Sequence, residues 1–132
     1  MTRTAAPLFA LSLLALAACG GSSNSSSATA PANVDLTVRA KAAVAFDQPS
    51  YTAALHPDGT VSIALINDSS LPHNLHVVDG NGNDVDKNAP KVRVSGNGDE
   101  SNGTFHLDPG SYRIVCKVPG HSNMNSAFTV TK

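Results

Sequence analysis

Ser111-Tyr112-Arg113-Ile114-Val115-Cys116-Lys117-Val118-Pro119-Gly120-His121-Ser122-Asn123-Met124 begins as a strand and ends as a loop of chemically active side chains. Along an extended strand from 111 to 116 the two-residue period puts Tyr112, Ile114 and Cys116 on one face, the face that suits a core. Pro119-Gly120 then turns the chain. His121 and Met124 follow the turn, so one short loop carries a thiol, an imidazole and a thioether. The whole chain has two cysteines and two methionines, one of them the initiator, and composition alone does not account for this grouping.

Whether Cys116 is free to act depends on the other cysteine, Cys19. One basic residue, Arg3, precedes an apolar run from Leu8 to Ala18 that ends in small residues. This is the form of a secretory signal, and the run is too short for an ordinary bilayer-spanning helix. Leu16-Ala17-Ala18-Cys19 also resembles the lipobox of bacterial lipoproteins, which implies a signal peptide over 1–18 and acylation of Cys19, with chains of the palmitate kind. The expected location is outside the cytoplasm, anchored in the periplasm or on the outer face of the cell membrane. An acylated Cys19 has no thiol for a disulfide, which leaves Cys116 alone in the folded part. A lone thiol in an oxidising compartment is a liability unless it is buried, catalytic or bound to metal.

Residues 19–33 continue as a Gly/Ser/Ala stretch that cannot bury a core and is expected to be a flexible linker, with an end-to-end distance of about 20 Å. Residues 34–132 are enough for one compact domain. No long amphipathic helix is legible there. Short β-branched or alternating runs stand at 34–38, 43–46, 52–55, 60–66, 75–78, 92–94, 103–107, 111–116 and 127–131. Turn signals separate them at 56–59, 79–83, 95–98 and 108–110. The pattern predicts an all-β sandwich of about 7–9 strands.

Nine Lys and Arg against ten Asp and Glu, scattered singly, give a formal charge of −1. Nucleic acid would need a clustered basic surface and is not an expected partner. Asp79-Gly80-Asn81-Gly82-Asn83-Asp84 begins like a calcium loop, but Asp84 stands where the motif needs glycine and Pro90 where it needs a carboxylate. A polar turn is expected instead.

A soft thiolate, an imidazole and a thioether suit copper better than zinc or a hard cation, and a second imidazole is needed. Asn67-Asp68-Ser69-Ser70-Leu71-Pro72-His73-Asn74-Leu75-His76 supplies the candidates. Period two sets His73 and His76 on opposite faces, so the two are not expected to face the thiol together. His56 reads as a turn residue and His106 as a surface strand residue.

Pro72-His73-Asn74 followed by Cys116, His121 and Met124, with Asp108-Pro109-Gly110-Ser111-Tyr112 ahead of the cysteine, resembles the cupredoxins, the small blue copper proteins related to plastocyanin and azurin. As a strand pattern the resemblance covers 34–132. It implies a Greek-key sandwich with one mononuclear copper at one end, His73, Cys116 and His121 in a trigonal plane and Met124 as a weak axial ligand. It also implies that Asn74 hydrogen-bonds to the loop carrying Cys116 and holds the two ligand segments together. The expected function is single-electron transport by a monomer that docks transiently on redox proteins near His121. No substrate pocket and no enzymatic activity are implied. The alternative is a copper carrier or chaperone, which would need an exposed, exchangeable, methionine-rich site. The sequence departs from the family in one respect: only Ser122 and Asn123 separate His121 from Met124, fewer residues than is usual there.

Overall fold

The computed structural model of the chain describes residues 31–85 and 91–132. The expected signal peptide (1–18), Cys19 and residues 20–30 of the expected linker lie outside the described residues. The described residues form nine strands: β1 Leu36–Lys41, β2 Ala45–Phe46, β3 Ser50–Ala54, β4 Thr60–Asp68, β5 His73–Val78, β6 Val92–Val94, β7 Glu100–His106, β8 Gly110–Val115 and β9 Asn125–Thr131. No helix among them is long and apolar enough to cross a membrane.

The strands make two sheets, ordered β2-β1-β4-β7 and β3-β9-β8-β5-β6. β8 pairs antiparallel with β5 and β9, while β1 with β4 and β3 with β9 are parallel pairs. Partners distant in sequence are thus brought together, as Greek-key connections require. The core lies between the sheets. Val61, Ile63, Leu65 and Phe105 from one sheet meet Leu75, Val77, Ile114 and Phe128 from the other, all nearly or fully buried. Each such side chain contributes about 1.5–3 kcal/mol through burial, so the sandwich has a core that needs no metal to form.

All nine expected strands exist, with boundaries shifted where polar residues hid them. The first was expected at 34–38 but runs on to Lys41. Arg39 and Lys41 are held in the strand by Asp68 of β4, at 2.9 and 2.6 Å. The strand expected at 103–107 starts at Glu100, because Glu100, Ser101 and Asn102 pair with Ile66, Leu65 and Ala64 on β4. Of the strand expected at 43–46 only Ala45–Phe46 pairs, since the chain is still turning at Val44 (φ 54°). At 79–83 the Asp79 carboxylate accepts from the backbone N–H groups of Asn81 and Asn83, at 2.8 and 2.9 Å, so it organises a polar turn.

Candidate metal centre

His73 opens β5, and Cys116 lies just past the end of β8. These strands are neighbours in one sheet. Period two along β5 buries His73, Leu75 and Val77, while His76 turns to the other face. His76 Nδ1 lies 3.0 Å from Asp84 Oδ1. Burial alone raises the Asp84 carboxyl, but hydrogen bonds from Lys117 and His76 bring it below its ordinary value. His76 is therefore engaged away from the cysteine, and His56 is likewise occupied, 2.8 Å from Asp35 Oδ1. His106 ends β7, exposed.

Two successive turns shape the loop at 116–124. His121 N–H donates to Val118 C=O at 3.0 Å, with Pro119 and Gly120 between them. Gly120 has φ 89°, the left-handed value required at the third position of a type II turn, and Pro119 fixes the second. Met124 N–H then donates to His121 C=O at 2.9 Å, and Met124 C=O accepts from Cys116 N–H at 3.0 Å. The short His121-to-Met124 spacing is thus accommodated by a tight turn, and Met124 ends fully buried in the same apolar cluster as Cys116. Asn74 Oδ1 accepts from Lys117 N–H at 2.6 Å, joining the segment that carries His73 to the loop that carries Cys116.

The donor atoms of His73, Cys116 and His121 lie within 4.8 Å of one another, and all three residues are buried. Cys116 Sγ is 3.6 Å from His121 Nδ1, and the His73 and His121 ring centroids are 4.8 Å apart. Burial first, and electrostatic repulsion from the His121 ring second, hold the His73 imidazole below its ordinary value, which favours the uncharged ring. Its Nε2 is 2.8 Å from Ser69 Oγ. Its Nδ1 is buried without a hydrogen-bond partner, and it alone is so among the described residues. A free thiol, two imidazoles and an orphaned buried nitrogen fit a soft-to-borderline metal ion such as copper. Beside them Pro72, Asn74, Arg93, Val94, Lys117, Val118 and Pro119 line a groove of about 300 Å³.

Sequence reasoning overlooked Ser69 and Asn67. No role was assigned to them there, although Asn and Ser side chains are suited to local hydrogen bonding with nearby backbone.

The profile of the copper-binding proteins of the plastocyanin/azurin family matches residues 32–131, and the chain belongs to that family. Copper is the cofactor that this membership and the donor cluster define. Among solved structures the chain is similar to auracyanin A, described as a "blue" copper protein, from the green thermophilic photosynthetic bacterium Chloroflexus aurantiacus. Identity is 26%, coverage 72% of this chain and 96% of that one, and TM-score 0.58. Auracyanin from Roseiflexus castenholzii (19% identity, 77% and 100% coverage, TM-score 0.58) and the azurin Az-iso2 of Methylomonas sp. strain J (14%, 76% and 100%, 0.61) share the fold. No curated protein sequence matches the chain at the same standard.

Proposed function

We propose that this chain is a membrane-tethered type 1 copper protein that carries single electrons between redox proteins outside the cytoplasm. His73, Cys116 and His121 are the copper ligands in this reading, and Met124 is a weak axial one. The observation that carries it is the unpartnered, buried Nδ1 of His73 next to the donors of Cys116 and His121. Native proteins satisfy nearly all buried polar atoms, and a bound metal would satisfy this one.

Copper in such a donor set supplies a one-electron couple. The chain keeps the donors still and dry. The two turns and the Asn74 bond tie both ligand segments to one frame, which limits rearrangement on gain or loss of an electron. His121, 8% exposed against 1% for His73 and 5% for Cys116, is the donor nearest to solvent and the natural exit for an electron. Leu71, Pro72, Val118 and Pro119 add apolar surface for weak, transient docking. Three buried donors favour electron transfer over the copper-delivery alternative, which needs exchange.

Axial contacts tune potential more than affinity. Met124→Leu is therefore expected to keep bound copper and blue colour while raising the reduction potential, because a donor that favours copper(II) is lost. Voltammetry of both proteins checks this. A potential and spectrum equal to the parent's would make Met124 a packing residue, and absence of a reversible couple in the parent would sink electron carriage itself.

The tether is a separate element of the proposal. Cys19→Ala is expected to release the processed domain or leave an uncleaved precursor, as read by membrane fractionation and mass spectrometry. Acylated, membrane-bound Cys19→Ala protein would rule the lipobox out.

A further inference from the structure

A serine hydroxyl gives one proton and accepts two. Ser69 Oγ meets Asn67 Oδ1 at 2.9 Å, His73 Nε2 at 2.8 Å, Leu71 N at 3.2 Å and Leu71 O at 3.4 Å. The orientation of the Asn67 amide is fixed by its backbone neighbours. Its Oδ1 takes the Ser69 N–H at 3.0 Å, and its Nδ2 donates to Leu71 C=O at 2.8 Å. A flipped amide would set donor against donor and acceptor against acceptor.

With Oδ1 able only to accept, the Ser69 proton goes to it. The Leu71 carbonyl is the poorer alternative, because it is farther away and already receives the Asn67 amide. Leu71 N–H fills one lone pair of Oγ, so the contact with His73 uses the other, and Nε2 must bring the proton. An imidazole protonated on Nε2 has its lone pair on Nδ1, the atom left buried and unpartnered.

We propose that Asn67 and Ser69 are positioning residues that lock His73 in the Nε2–H tautomer and so present the Nδ1 lone pair before copper arrives. The relay is shielded from water: exposure is 0% at Asn67, 4% at Ser69 and 1% at His73. Its far end is fixed to the turn that leads into β7. Asn67 N–H donates to Asp99 C=O at 2.9 Å, and Asn67 C=O accepts from Gly98 N–H at 2.7 Å. Partners of this kind orient a ligand imidazole and raise its basicity. The proposal rests on the reading of His73 as a copper ligand.

The test uses the full-length apoprotein, so that the relay is read apart from the metal. Long-range ¹H–¹⁵N correlation NMR is expected to find His73 protonated on Nε2, with a slowly exchanging proton. Ser69→Ala is expected to lose that protected signal and to raise the copper(I) dissociation constant, measured by competition with a chelator, about 10–100-fold. Ser69→Thr, which keeps the hydroxyl, is expected to recover both. A His73 protonated on Nδ1 in the parent overturns the proposal, and so does a Ser69→Ala protein with the same protected Nε2–H. A folded Ser69→Thr protein as impaired as Ser69→Ala also overturns it, since the hydroxyl would then serve the turn alone. If Ser69→Ala does not fold, the parent spectrum decides. A parent with the expected tautomer that binds no copper would support the lock while removing the ligand assignment.

Discussion

Cys116→Ser is expected to abolish the intense visible absorption of the copper(II) protein while the apoprotein keeps its fold. A thiolate bound to copper(II) gives a sulfur-to-metal charge-transfer band, and Cys116 carries the free thiol of the described residues, buried beside two imidazoles. A serine oxygen is a harder donor and cannot replace the transition. The substitution buries a hydroxyl in place of the thiol, at a cost of at most about 1–3 kcal/mol, reached where the hydroxyl stays unbonded. The core formed by Ile63, Leu65, Phe105, Ile114 and Phe128 remains. Absorption of the copper-loaded protein and circular dichroism of the apoprotein, recorded on the same sample, separate the two effects. An unchanged visible band would eliminate Cys116 as a ligand.

The second large effect distinguishes two histidines only three positions apart. His73→Gly removes the neutral imidazole whose Nδ1 is buried, and copper affinity is expected to fall by more than the ~100-fold typical of losing a mere outer partner. The visible band should collapse or shift with it. His76→Gln removes a half-exposed ring paired with Asp84 on the opposite face of β5, and its spectrum and affinity should stay close to the parent's. Copper titrations of both variants check this. The reverse order of severity would transfer the ligand role to His76.

The fold was legible where burial imposes a period. Along β5 and β8 the two-residue alternation separates His73 from His76 and aligns Tyr112, Ile114 and Cys116 without any structure. It was less legible where polar residues belong to strands for reasons set by partners far along the chain. Glu100, Ser101 and Asn102 look like loop until β4 pairs with them, and Arg39 and Lys41 look like a strand end until Asp68 supplies their counter-charge. The cluster of His73, Cys116 and His121 was legible from residue types, their order and the resemblance to the cupredoxins that these carry, because donor chemistry restricts which residues make sense together. Asn67 and Ser69 could not, since their role depends on which atom faces which. The short interval from His121 to Met124 looked like a departure. Two consecutive turns, the first of them made possible by Gly120, span that interval and bury Met124.

The central claim is that His73, Cys116 and His121 form one copper site of the blue type. The visible absorption spectrum of the full-length protein with one equivalent of copper(II) tests it most directly. Stoichiometric uptake and an intense band from thiolate-to-copper charge transfer are expected. Weak absorption typical of copper bound by nitrogen and oxygen alone, or no uptake, would contradict it.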